Sequence, residues 1–247
     1  MTFVIREPEL SQIRDSGKVL KKVFEWVGKN ILEGVSTLEL DARIEKIILE
    51  NQAKPAFKGY KGYPASICAS VNSVVVHGIP SKKEVLRNGD IVSIDVGVYK
   101  NGFFTDAART YPVGRISSEA EDLIEAARVS LKEGSEKAVA GNRLGDISNA
   151  VQTVIKKYGY KEVRSFVGHG IGKELHEEPE VPNWGEKGKG ILLEEGLVIA
   201  IEPMVNMGTR EVEILSDGWT VATKDRKISA HFENTVIVGR SKAEEIT

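Results

Sequence analysis

Among 247 residues the chain has one cysteine, Cys68, so it can form neither an intrachain disulfide nor a cysteine-built zinc module. An excess of one charge is missing too. Lysine and arginine number 34 against 36 acids, the net charge is −2 and the pI is near 6.2, so no basic field advertises nucleic-acid binding. No run approaches the ~18 consecutive apolar residues of a membrane span. The start, Met1–Leu10, lacks the apolar stretch of a signal peptide, which makes the cytoplasm the expected location. No linker or low-complexity tract interrupts the sequence. Its length supports a sizeable core and one large domain over 1–247.

What is present is a set of acids in short motifs. Asp95 stands in the apolar-rich run Ile91-Val92-Ser93-Ile94-Asp95-Val96-Gly97, entered through the turn signal Asn88-Gly89-Asp90. Asp106 follows across Lys100-Asn101-Gly102, and this spacing predicts a β-hairpin. It sets the two carboxylates near the same height on adjacent strands, where like charges repel. Acids forced together in this way call for a cation, although one such pair alone could be two solvated strand residues.

The second half repeats the arrangement at one fixed offset, with no gap. Leu86-Arg-Asn-Gly89-Asp-Ile91-Val92-Ser-Ile94-Asp95 lies over Leu193-Glu-Glu-Gly196-Leu-Val198-Ile199-Ala-Ile201-Glu202. At the same offset Gly34, Glu39, Leu40, Ile44, Ile47 and Ile48 lie over Gly141, Asp146, Ile147, Val151, Val154 and Ile155. A second acid pair, Glu202 and Glu233, is more widely spaced than the first. The extra length falls in Arg210–Lys227, which reads as an added hairpin turning at Ser216-Asp217-Gly218. Two similar halves, roughly 1–114 and 115–247, each bring a carboxylate pair to a shared centre.

Helices are expected from Pro8 onward, with a stripe at Leu10, Ile13, Leu20, Phe24 and Val27, and from the capping box Ser36-Thr37-Leu38-Glu39 through Ile48. Another capping box at Ser118-Glu119-Ala120-Glu121 opens a helix stopped by Gly141, and the stripe Ile147, Ala150, Val151, Val154, Ile155 and Tyr158 makes a fourth, ended by Gly159. Strands are expected around Ile67–Val76, over Ile91–Tyr99 and after Gly102. Helices and strands do not alternate one for one, so the class is α+β.

There are four histidines, and three of them, His77, His169 and His176, lie in glycine- and proline-rich loops beside these acids. Gly168-His-Gly-Ile-Gly-Lys is not a dinucleotide fingerprint, because no helix pattern follows it.

The motifs Val71-Asn72…His77-Gly78-Ile79-Pro80, Ser93-Ile94-Asp95-Val96-Gly97, Asp106-Ala107-Ala108, Gly168-His169-Gly170-Ile171-Gly172, His176-Glu177-Glu178-Pro179, Ile201-Glu202-Pro203-Met204 and His231-Phe232-Glu233 stand in order. In them the chain resembles the type I methionine aminopeptidases, from Glu7 to the C-terminus. The resemblance implies the pita-bread fold: two pseudo-symmetric halves around a central curved antiparallel sheet. It implies that Asp95, Asp106, His169, Glu202 and Glu233 ligate two divalent metal ions, with Asp106 and Glu233 bridging. Four carboxylates and one imidazole form a hard donor set suited to Co, Mn, Fe or Zn. By the same comparison a metal-bridged hydroxide attacks the first peptide bond, Glu202 moves the proton to the leaving nitrogen, His176 stabilises the tetrahedral intermediate, and His77 bonds near the scissile nitrogen.

The side chain of the first residue is expected among Phe57, Tyr60, Tyr63, Cys68, His77, Leu175 and Trp219, and a monovalent cation on backbone carbonyls of Asn72, Val74 and Ser229. The implied substrates are nascent polypeptide N-termini with a small second residue, met at the ribosome by a monomer. Two positions depart from the family pattern: Asn234 stands where many relatives have histidine, and Ser73 where glutamate is common. No cysteine-rich or polylysine extension precedes the catalytic part, and the short span between His169 and Glu202 leaves no room for the type II insert, which points to the short bacterial form. The alternatives are a proline-specific peptidase of the same fold (aminopeptidase P or prolidase), which would carry a large extra N-terminal domain, a non-catalytic relative, which would have lost ligands, and an unrelated two-metal phosphatase or nuclease, which would lack the His77 and His176 motifs.

Overall fold

The computed structural model describes residues 4–247, so the first three residues of the Met1–Leu10 start lie outside it. The first half supplies helices α1 (Glu9–Asn30) and α2 (Thr37–Glu50) and strands β1 (Lys54–Pro55), β2 (Cys68–Val71), β3 (Val74–Val76), β4 (Ile91–Lys100) and β5 (Phe103–Pro112). The second supplies α3 (Ser118–Ser135), α4 (Leu144–Lys157), β6 (Lys161–Glu162), β7 (Gly168–Gly170), β8 (Glu177–Val181), β9 (Val198–Ile201), β10 (Met204–Asn206), β11 (Val212–Ile214), β12 (Val221–Thr223), β13 (Ser229–His231), β14 (Glu233–Ile237) and β15 (Glu244–Glu245). The central sheet runs β1-β4-β5-β14-β9-β7-β8, with β2 on β4 and β15 on β14. Every pairing in it is antiparallel.

Period-2 alternation decides what each face of this sheet carries. On β4, Val92, Ile94, Val96 and Val98 pack with α1 and α2 through Leu20, Val23, Leu40 and Ile44. On β9 and β14, Ile199, Ile201 and Val236 pack with α3 and α4 through Leu123, Ile147, Val151 and Ile155. The alternate positions, Asp95 and Gly97, Glu233 and Thr235, Val198 and Ala200, point to the opposite face. Helices therefore cover one side of the sheet and leave the other to the acids.

The repeat read from the sequence holds in the backbone at the same offset. Strand β6 (Lys161–Glu162) corresponds to β1 (Lys54–Pro55) and α4 (Leu144–Lys157) to α2 (Thr37–Glu50), bounds included, and the start of β9 at Val198 corresponds to that of β4 at Ile91. The bridge Ser36↔Val85 recurs as Arg143↔Leu192, and the bond from Gly34 N to Leu86 O (2.8 Å) recurs from Gly141 N to Leu193 O (3.0 Å). Glu39 and Asp146, one repeat apart, each reach back from the third helical position to accept a backbone N–H, from Ser36 at 2.9 Å and Arg143 at 2.7 Å.

Several boundaries differ from expectation. Ser117, not Ser118, caps α3 and accepts from Ala120 N at 3.2 Å. The third position is then alanine, with no side chain to complete a box. The same helix ends at Ser135, and Gly141 (φ 93°) instead shapes the turn before α4, as Gly34 (φ 88°) does before α2. Tyr158 lies past the end of α4 and is exposed. The expected strand over Ile67–Val76 is two, β2 and β3, broken where Asn72 takes φ 51°. The hairpin β4–β5 closes as read: Lys100 faces Phe103 across Asn101 (φ 53°) and Gly102 (φ 88°), both left-handed as a type I′ turn requires. The added hairpin is β11–β12, turned by Asp217, which accepts the N–H groups of Trp219 (2.9 Å) and Thr220 (2.8 Å).

Candidate metal centre and active site

Two rows of cross-strand neighbours carry the acids. In the first, Asp95 faces Ala108, which faces Glu233. In the second, Gly97 faces Asp106, while His169 faces Ala200, which faces Thr235. Asp95 and Asp106 are thus diagonal, on neighbouring rows of the hairpin, and not at the same height. Across the hairpin the residues opposite them are alanine and glycine, which leaves the space above these strands to the acids. Thr235 joins the halves: its hydroxyl accepts from Asp106 N and donates to Asp106 O, both at 2.8 Å. Glu202 stands just beyond the end of β9.

Asp106, His169 and Glu233 each present one ligand atom, all within 4.8 Å of one another. Glu202 Oε1 lies 3.8 Å from His169 Nε2. Among the described residues, Asp95 Oδ1, Asp106 Oδ1, Glu233 Oε1 and His231 Nε2 are buried without a hydrogen-bond partner. Unsatisfied buried carboxylates are costly, so this cluster asks for cations. Burial raises all four carboxyl groups above their usual range: Asp95 to about 7, and Asp106, Glu202 and Glu233 well up, these three pushed further by neighbouring carboxylates. Burial lowers His169 to about 4, and its Nδ1 donates to Gly170 O at 2.8 Å, which leaves neutral Nε2 turned to the acids. The donor set fits divalent ions.

One cleft, open at its mouth, is lined by every metal and pocket residue expected from the sequence, and by Lys61 besides. Tyr63, Phe57, Cys68 and Leu175 belong to one buried apolar cluster, against which Tyr60 and Trp219 pack. Trp219 arrives on the added hairpin and meets the Tyr63 ring edge-on at 5.1 Å, so that insertion supplies a wall of the cleft. The Cys68 thiol, strand partner of Asp95, is buried and its pKa is raised, first by burial and then by Asp95. His77 takes φ 59° and stacks edge-on against Phe166 at 5.6 Å, and burial lowers its pKa. His176, at the mouth, places Nδ1 2.9 Å from the Tyr60 hydroxyl and its ring 4.3 Å from that of His169.

Residues 11–240 match the sequence profile of metallopeptidase family M24. The chain belongs to that family. A methionine aminopeptidase of Clostridium acetobutylicum is 49% identical to this M24 peptidase over 238 residues, 96% of this chain and 95% of the relative. The crystal structure of methionine aminopeptidase from Rickettsia prowazekii matches it at TM-score 0.98 and 37% identity over 100% of both chains. The prolidase from Pyrococcus furiosus matches at TM-score 0.80 and 25% identity, over 99% of this chain but 65% of the prolidase. The fold is thus the pita bread, and the proline-specific alternative is the more distant likeness. Family and donor set together imply divalent metal.

Of the predicted cation residues, Asn72 and Ser229 come together, with Ser229 N donating to Asn72 O at 2.9 Å, and Val74 opens β3 nearby. Asn234 turns to the helix face, where its Oδ1 accepts from Arg109 Nη2 at 2.6 Å, so it does not face the acids next to Glu233. Ser73 sits in the turn between β2 and β3, with its carbonyl accepting from Thr223 N at 2.9 Å. Two site residues escaped the sequence reading. His231 Nε2 lies 3.7 Å from Glu202 Oε2 and 4.0 Å from Glu233 Oε2, and its period-2 spacing from Glu233 in the sequence was the available signal. Lys61 gave none, because a lysine beside glycines reads as ordinary loop.

Proposed function

We infer that this M24 peptidase removes the N-terminal methionine from polypeptides whose second residue is small. The observation that carries the reading is the single cleft whose floor is the five-donor set and whose wall is an aromatic and thiol pocket. Asp95, Asp106, His169, Glu202 and Glu233 would hold two divalent ions, with Asp106, His169 and Glu233 as the tightest group of donors. When bound, such ions supply a water nucleophile at neutral pH and polarise the scissile carbonyl.

The chain's own residues do the rest. Glu202, just past the end of β9 beside the donor cluster, takes a proton from the attacking water and delivers it to the leaving nitrogen. His176 Nδ1 lies 2.9 Å from the Tyr60 hydroxyl, and in the tautomer where that hydroxyl donates, the proton on Nε2 is free to meet the developing oxyanion. His77 bonds near the scissile nitrogen. Phe57, Tyr60, Tyr63, Cys68, Leu175 and Trp219 receive an unbranched thioether, with sulfur–aromatic contacts of ~0.3–1.5 kcal/mol each. A small second residue is needed because the chain then passes the crowded turn at His77. Carbonyls of Asn72, Val74 and Ser229 are the proposed seat of a monovalent cation. We assign the activity to one catalytic domain over 1–247, acting as a monomer in the cytoplasm on nascent chains at the ribosome.

The test is cleavage by metal-reconstituted protein of Met-Ala-Ser, Val-Ala-Ser and Leu-Pro-Ser. Release of methionine alone is expected. Faster cleavage of Leu-Pro-Ser would move the protein to the proline-specific branch.

A further inference from the structure

Lys61 occupies an unusual place. It takes φ 47°, a left-handed backbone that a lysine adopts at a cost, between Gly59 (φ 85°) and Gly62 (φ 88°). The turn is held by Gly59 N to Tyr63 O (2.8 Å), Gly62 N to Gly59 O (3.2 Å) and Tyr63 N to Tyr60 O (2.9 Å). Its ammonium lies 5.3 Å from the centre of the Tyr60 ring, the ring whose hydroxyl bonds His176. Neighbouring lysines are engaged: Lys58 by Glu45 at 2.8 Å, and Lys173 by Glu9 at 2.9 Å. Among the described residues Lys61 has no carboxylate partner, and it is the one lysine or arginine that lines the cleft.

We propose that Lys61 is a specificity residue that reads the substrate downstream of its second residue, favouring an acidic side chain at the third or fourth position. This rests on the aminopeptidase reading above. With the first side chain in the aromatic pocket and His176 at the first peptide bond, a peptide leaving on the His176 side of the cleft passes Tyr60 and Lys61. An extended chain advances about 3.4 Å per residue, so the third residue comes about 7 Å beyond the first. That is within the span of the Tyr60 ring plus the lysine stem. A cation over an aromatic face, exposed at its tip, can meet a carboxylate there without being dehydrated.

The experiment compares kcat/KM for C-terminally amidated Met-Ala-Asp-Gly, Met-Ala-Asn-Gly and Met-Ala-Lys-Gly, and for the same changes at position four. Amidation removes the peptide's own terminal carboxylate as a competitor. The expected Asp-to-Asn ratio at one of the two positions is about 2–5, the range for a solvent-exposed ion pair, and it should shrink toward one in about 0.5 M salt. In Lys61→Met the ratio should fall to one, in Lys61→Glu it should invert, and in Lys61→Arg it should persist. Each ratio is internal to one enzyme, so partial loss of folded protein cancels. A wild-type ratio near one at both positions, or one unchanged in Lys61→Met, overturns the inference alone. Failure to cleave any methionyl peptide overturns the aminopeptidase reading and this inference with it.

Discussion

Replacing Gly97 by alanine should damage the pocket without touching a ligand. Gly97 faces Asp106 on the acid side of the sheet, and the segment carrying Phe57 crosses directly over it, with Ala56 N donating to Gly97 O at 2.9 Å. A Cβ at position 97 would stand 2.5 Å from Phe57 Cε1, 3.0 Å from Cδ1 and 2.9 Å from Ala56 Cβ. Ordinary carbon contacts lie at about 3.5–4.0 Å, so the Phe57 ring has to retreat by about 1 Å. The sheet blocks one direction, and the open one leads into the cleft where the methionine side chain is to lie.

Overpacking of this kind costs ~1–3 kcal/mol, and for a chain of this size each kcal/mol lowers Tm by about 2–4 °C, so a fall of roughly 2–12 °C is expected. Losing about a methylene of room should cut kcat/KM for Met-Ala-Ser by about tenfold or more, mostly through KM. Metal stoichiometry measured by titration calorimetry should be unchanged. Adding Phe57→Leu to Gly97→Ala should recover both Tm and kcat/KM, because the smaller side chain relieves the same contact. Parental Tm and kcat/KM in Gly97→Ala, or a double variant worse than either single one, would refute the reasoning.

Glu233→Gln and Asp106→Asn should each abolish turnover and lower the number of ions bound per chain; near-normal activity in either after metal titration would sink the two-metal reading. His176→Ala should lower kcat and kcat/KM together by ~10²–10³ at unchanged metal content, and loss of metal would make His176 a ligand instead. Chelation should lower Tm by about 8–16 °C relative to protein holding metal at about a thousand times its dissociation constant, since ~4 kcal/mol is then withdrawn; equal Tm values would mean the acids need no cation. His77 offers a pH test. Burial lowers its folded pKa, so its contribution is present above the unfolded value near 6.5 and is lost as pH falls below it, because the unfolded chain then takes up the proton. The drop in Tm between pH 7.5 and 5.5 should therefore be smaller in His77→Asn, a residue that tolerates the left-handed backbone, and an unchanged drop would exclude His77 as a source.

The repeat and the hairpin were legible because each is written in sequence-local terms: period-2 runs, an Asn-Gly turn, one fixed offset; the proposed donor set came with the family motifs that carry it. What failed was finer. Ser117 and Ser118 are chemically equal caps, and only the packing of α3 chooses between them. Gly141 looked like a helix stop because a glycine after an apolar stripe usually is one, while here it belongs to the turn that the first half makes at Gly34. The diagonal placement of Asp95 and Asp106 could not be read from their spacing alone, since the length of the turn loop fixes the register and a longer loop would shift it. Gly97, Lys61 and Thr235 act through neighbours distant in sequence, and no motif announces those.

The corresponding bounds of the two halves carry a history. Asp95 on β4 and Glu202 just past the end of β9 sit at one position of the repeat, in different halves, with β5 and β14 paired between those two strands. A half-length ancestor associating with its own copy about a twofold axis between those strands would have set two identical acids face to face across the axis, and a cation would have served as the bond between subunits. Fusion freed each copy to diverge. The second half has the hairpin that bears Trp219 and with it a wall of the cleft, and the first half has the shorter connection. The asymmetry that lets the cleft hold a peptide in one direction is then the later acquisition, laid over a centre that began symmetric.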